Sequence, residues 1–129
     1  MNDKIHFVGR LNREIFKVVT EDILTDEVII TEEQIEHIKS QHPGDYENFG
    51  KFFRDIVEAP DYILEANKPY SALVLKSFNE NGKIFKVVLR LKTSIDNPNY
   101  KNSIITFWKI DENTLKRLIK NKKVLYKRE

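Results

Sequence analysis

Two of the chain's three histidines, His37 and His42, stand five residues apart in the segment Thr31-Glu-Glu-Gln-Ile-Glu-His-Ile-Lys-Ser-Gln-His-Pro43. Far downstream, Lys83-Ile-Phe-Lys-Val-Val-Leu-Arg-Leu-Lys92 interleaves cations with apolar residues. Imidazole exchanges protons near neutral pH, and ammonium or guanidinium groups neutralise phosphate. Those two ingredients suffice for metal-free cleavage of an RNA phosphodiester. Other chemistries find less support. Two histidines at i, i+5 do not share a helix face, no HExxH exists, and Cys is absent, so zinc lacks its ligand set. There is no phosphate-binding glycine loop and no nucleophile elbow, and the carboxylates are scattered. No metal and no cofactor is expected.

The histidines need a helix to place them. Thr31 is a good N-cap, Gln34 completes a capping box, and Glu32 and Glu33 suit the first turn. Pro43-Gly44 stops this helix. At about 100° per residue, Ile35, Ile38 and His42 share one side and His37 points nearly the other way. His42 therefore belongs to the core-facing edge, where a histidine is more often a packed or capping residue than a catalyst. His37 reads as a surface histidine, and His6 takes no role. A second helix is predicted over 45–58, with Tyr46, Phe49, Phe53, Ile56 and Val57 as its apolar stripe. Upstream, 4–11, 15–19 and 28–30 read as short strands.

Beyond Pro60 the period becomes two. Residues 62–66, 72–78, 84–92 and 103–110 read as strands, with a hairpin turn at Asn79-Glu-Asn-Gly82 and a looser connection at Asp96-Asn-Pro-Asn99. A helix capped by Asp111 and a strand at 123–127 complete the pattern. Helices followed by antiparallel strands define an α+β fold. Alternation puts Leu73, Leu75, Phe85, Val87, Leu89, Leu91, Ile105 and Phe107 against the helices. The other face is then Val74, Lys76, Phe78, Lys86, Val88, Arg90, Lys92, Ile104, Thr106 and Trp108, a mixture of cations and rings suited to phosphates and bases. An ordinary half-wet sheet face fits the same pattern. Asn67, Lys68 and Pro69 form a polar turn, and a substrate loop is its second reading.

The 129 residues, 40% apolar and 33% charged, point to one domain, 1–129, with an adequate core. Four Gly and four Pro argue against low complexity. The lack of cysteine fits a reducing compartment. No leader-like or membrane-spanning stretch is visible, so a soluble cytoplasmic protein without a membrane partner is expected. Charge is uneven: residues 1–60 carry seven Lys/Arg against 13 Asp/Glu, residues 61–129 fifteen against seven. A basic half points to an anionic partner, RNA first, although a solvated charged face has the same composition.

Several of these pieces are familiar together. Ile35-Glu-His-Ile-Lys-Ser-Gln-His-Pro43, Ala59-Pro-Asp-Tyr-Ile63, Val87-Val-Leu-Arg-Leu-Lys92 and Asn102-Ser-Ile-Ile-Thr-Phe-Trp108 resemble the phage-associated nuclease-like families of the barnase–EndoU–colicin–RelE fold. The resemblance spans about 28–110. It implies N-terminal helices packed on an antiparallel sheet of four or more strands. It also implies a metal-independent, toxin-like ribonuclease of phage or mobile-element origin, which leaves room for a cognate antitoxin or immunity protein as a second partner. Many relatives carry a cation just before the second histidine. Gln41 stands there in this chain, so the phosphate-binding charge has to come from Lys39, Arg90 or Lys92.

The expected mechanism is transesterification to a 2′,3′-cyclic phosphate. His42 serves as acid–base group, with His37 as the second candidate. Arg90, with Lys76 or Lys92, neutralises the phosphorane, and Thr106 donates to a phosphate oxygen. Trp108 or Tyr126 stacks a base. The alternative is a non-catalytic RNA- or protein-binding module using the same basic face, and a third reading is a phage-derived inhibitor or structural domain acting on a host protein. The catalytic scheme requires the end of the histidine helix to wrap past an edge of the sheet, because His42 and the cations otherwise lie on opposite sides.

Overall fold

In a computed structural model, residues 4–78 and 82–128 are described. The strands are β1 (Ile5–Arg10), β2 (Glu27–Thr31), β3 (Tyr62–Glu65), β4 (Ser71–Phe78), β5 (Lys83–Arg90), β6 (Asn102–Ile110) and β7 (Val124–Lys127). They form one sheet in the order β1-β2-β6-β5-β4-β3-β7. Every pair is antiparallel except β2 and β6, which run parallel. The fold is α+β, as expected, with seven strands and one parallel step among the described residues.

The helices are α1 (Arg13–Phe16), α2 (Glu32–Gln41), α3 (Asp45–Phe49), α4 (Phe53–Glu58) and α5 (Glu112–Asn121). The first of these replaces the strand expected at 15–19. Asn12 accepts from the Glu14 amide and caps a single turn that buries Phe16. Helix α2 begins where the capping residues predict, with Thr31 Oγ1 accepting from the Gln34 amide at 3.1 Å. It ends at Gln41 with His42 as its C-cap, and the chain then turns at Gly44, whose φ of 86° is open to glycine and strained for other residues. The continuous helix expected over 45–58 is broken by a 3₁₀ turn at Gly50–Phe52. The tighter turn lets Phe49 and Phe52 both meet Phe85, at 5.1 and 5.6 Å between centroids, while Phe53 meets Phe107 at 4.8 Å. Those rings, with Ile35, Ile38, Ile56 and Val57, make the main core between α2–α4 and the sheet. Each fully buried ring contributes about 1.5–3 kcal/mol.

Two face assignments are corrected. Val74 pairs with Val87 and Lys76 with Phe85, so Ala72, Val74 and Lys76 face the N-terminal helices. Leu73 and Leu75 face the other way and pack with Leu115 and Leu118 of α5. Because β4 is covered on both sides, its run Ala-Leu-Val-Leu is apolar throughout and carries no parity signal. In β6 a bulge opposite Val88 and Leu89 turns Ile104 into the main core and leaves Ile105 on the other face. The strands flanking the expected hairpin pair as far as Phe78 with Lys83. Asn79, Glu80 and Asn81 of that turn lie outside the described residues. Among the described residues no helix is long and apolar enough to cross a membrane.

Candidate functional site

The sheet face turned away from α2–α4 carries Lys86, Val88 and Arg90 in one row and Ile105, Thr106 and Trp108 in the next. Helix α5 covers part of this face through Leu115 and Leu118. Beside it lies a hollow of about 430 Å³. It is lined by Leu73, Val88 and Ile105 of the sheet, by Asn67 and Lys68 of the turn before β4, by Ser71 and its cross-strand partner Arg90, and by Tyr100.

Arg90 is held in place. Its Nη2 donates to Asp96 Oδ1 at 2.8 Å, and its Nη1 donates to Asp96 Oδ2 at 3.3 Å and to the Leu91 carbonyl. Its guanidinium lies 5.6 Å from the Tyr70 ring centroid and 5.5 Å from that of Tyr100. The Thr93 amide, more than any other group, keeps the Asp96 carboxyl below its ordinary range, and Arg90 adds to the effect. Tyr70 has φ = 58°, a conformation that strains a bulky residue by about 1–3 kcal/mol. Its carbonyl nevertheless accepts from the Leu91 amide, tying the 66–71 turn to the end of β5.

The other end of the row is different. Strand β2 pairs with β6 only through Asn102 and Ser103, so α2 can run beside the rest of β6. His42, the C-cap of α2, thereby reaches Trp108, ring edge to ring face at 5.6 Å. Lys86 Nζ sits 4.3 Å from the Trp108 centroid. Burial, and after it the charge of Lys122, holds Lys86 below the usual lysine range. The wrap-around that the catalytic scheme needed is present, but the cation it brings to His42 is Lys86. Arg90 lies four residues farther along β5, about 13 Å away at 3.3 Å per residue.

The remaining candidates divide clearly. Thr106 pairs with Val88 on the open face, between the two ends. His37 is exposed on α2, on the side away from the buried Ile35 and Ile38. His6 bonds Glu32 through Nε2 at 2.9 Å. Lys76, expected on the open face, lies on the helix side, with Nζ donating to the Ala59 carbonyl at 2.6 Å and standing 3.8 Å from Asp61. Lys92, expected beside it, is buried, and its ammonium donates to the Pro98 carbonyl. Tyr126 pairs with Ile63 and packs on the main core, away from the hollow. Its parity could not be read because β7 is a short edge strand. Sequence reasoning placed Lys86 on the correct face and gave it no role. It passed over Lys122, Tyr100 and Asp96, which meet the site only through loops and a helix end. Among the described residues no three His, Asp or Glu side chains gather as metal ligands would.

The fold is thus α+β, with a basic, partly hollow sheet face and an imidazole at its margin. The chain belongs to the family described as phage-Barnase-EndoU-ColicinE5/D-RelE like nuclease2, whose profile matches residues 5–127. No match is found among curated proteins or among solved structures.

Proposed function

We propose that this protein is a metal-independent RNA endonuclease that works on the open sheet face and yields a 2′,3′-cyclic phosphate. The supporting observation is the contact series His42–Trp108–Lys86, which sets an imidazole edge-on and an ammonium against one indole ring. His42 takes the 2′-hydroxyl proton as that oxygen attacks phosphorus. The P–O5′ bond breaks, and the imidazolium returns its proton to the departing 5′ oxygen. Lys86, in the field of Lys122, stabilises the negative charge that develops on phosphorus. Thr106 donates a hydrogen bond to a phosphate oxygen. Trp108 is a platform for His42 and Lys86, since both already occupy its ring. Such an activity suits a toxin-like, phage-derived protein acting on cytoplasmic RNA, with a cognate antitoxin or immunity protein as a second partner.

The test is RNA cleavage in EDTA by wild type, His42→Ala and His37→Ala, with product ends identified. His42→Ala should lose about 100-fold or more, and His37→Ala should remain active. Full activity in His42→Ala removes His42 from the mechanism. Loss of wild-type cleavage in EDTA overturns the metal-free scheme. A second reading, RNA binding without cleavage, draws on two facts: His42 is the one imidazole that reaches the open face among the described residues, and Arg90 is already ion-paired. Salt-sensitive binding with no product would favour it.

A further inference from the structure

The hollow holds none of the residues assigned to the acid–base step, and its chemistry differs from that of the cationic end. Its floor is aliphatic, formed by Leu73, Val88 and Ile105, and its volume of about 430 Å³ falls within the range of about 300–1,000 Å³ seen for small-molecule sites. Tyr100 is a ring wall at its margin, backed by the Arg90 guanidinium at 5.5 Å. Arg90 is kept from swinging into the hollow by Asp96. The lining is polar at Asn67 and Lys68. Lys122 Nζ donates to Asn67 Oδ1 at 3.2 Å. An ammonium cannot accept a hydrogen bond, so this contact fixes the amide with its oxygen toward Lys122 and its NH₂ turned elsewhere. This part of the lining therefore offers donors, the Asn67 NH₂ and the Lys68 ammonium. An apolar floor, an aromatic wall and a donor-rich rim fit a flat heterocycle with acceptor oxygens on its edge.

We infer that the hollow is a base subsite. It takes the nucleobase next to the cleaved linkage between its aliphatic floor and Tyr100, and favours bases with keto oxygens, guanine and uracil, over adenine. The inference rests on the RNA reading above. It makes Arg90 and Asp96 positioning residues that hold the Tyr100 wall, in place of the phosphate-neutralising role expected for Arg90. Lys122 bonds Asn67 at the hollow, and its charge is also felt by Lys86, which links base binding to the phosphate end.

A free nucleoside and a base within an RNA chain present the same edge, so both are tested. Amide NMR shifts of the full chain are followed during titration with uridine, inosine, adenosine, a 2′-deoxyuridylyl-adenosine dinucleotide, which lacks the attacking 2′-hydroxyl, and, separately, inorganic phosphate. Uridine and inosine should move the Val88, Ile105 and Tyr100 signals, with adenosine weaker by about fivefold or more. The dinucleotide should move these and also Lys86 and Lys122, and phosphate only the latter pair. Ile105→Phe, which fills the hollow, should weaken nucleoside binding by about tenfold or more and leave the phosphate response unchanged. Should that variant fail to fold, Asn67→Ala at the exposed rim should abolish the preference for uridine over adenosine. Adenosine binding as well as uridine overturns the edge preference. Silence of the hollow toward every nucleoside and the dinucleotide, in a chain that cleaves RNA, overturns the subsite and leaves the nuclease reading intact. Nucleoside binding at the hollow in a chain that never cleaves RNA upholds a base-binding hollow but overturns its place beside a cleaved linkage, together with the nuclease reading.

Discussion

Asp96→Ala tests how the wall of the hollow is built. The carboxylate accepts from the Thr93 amide at 2.8 Å, from Thr93 Oγ1 at 3.2 Å, and from Arg90 at 2.8 and 3.3 Å. Its side chain is 15% exposed and that of Arg90 23%. Removing one partner of a fully buried ion pair costs about 3–5 kcal/mol. Hydrogen bonds to charged groups contribute about 1.5–3 kcal/mol each. Water reaches this pair, so screening lowers the figure, and a loss of about 2–3 kcal/mol is expected. With a urea slope near 2 kcal/mol per molar, the unfolding midpoint should fall by about 1–1.5 M. The effect has a defined pH dependence. The folded-state pKa of Asp96 is lowered, first by the Thr93 amide and then by Arg90. Its stabilisation is therefore complete above the unfolded carboxyl value of about 3.9 and disappears as pH falls through the lower folded value. Urea unfolding of wild type and mutant should show a constant gap from pH 7 to about pH 5 that narrows below about pH 4. A gap under about 0.5 kcal/mol at pH 7, or one undiminished in acid, would refute the idea that this ion pair braces the wall.

Lys86→Met should leave stability unchanged or raise it, because burial and Lys122 both disfavour the charge it removes. The same variant should bind RNA more weakly, with a salt slope smaller by about one. Since the folded-state pKa of Lys86 is lowered, wild-type stability should rise as pH climbs toward 10.5, and that part of the rise should vanish in Lys86→Met. Asn102→Ala should cost about 3 kcal/mol in urea unfolding. The buried amide accepts from the Lys92 amide at 2.7 Å and donates to the Thr25 and Glu27 carbonyls at 2.7 and 2.9 Å, and alanine satisfies none of them.

Local chemistry determined much of this protein. The Thr31 cap, the Pro43-Gly44 stop, the buried Ile35 and Ile38 and the exposed His37 all follow from a helical period with sharp ends. The strands after Pro60 follow from a period of two and from turn residues. The parallel step between β2 and β6 did not, because it joins segments some seventy residues apart. Nor did the facing of β4 or the displacement of Ile104 and Ile105. An all-apolar run such as Ala72–Leu75 carries no parity, and a bulge is specified by the partner strand across it. The misplacement of Lys76 follows directly from that silence. The sequence supplied an imidazole and a set of cations, but which of them meet was a tertiary outcome. The incomplete pairing of β6 leaves an edge for α2 to pass, and so joins His42 to Lys86 through Trp108, while Asp96 commits Arg90 to the hollow. Both depend on contacts between residues distant in the chain, where pairing and burial choose among side chains that look equivalent in sequence.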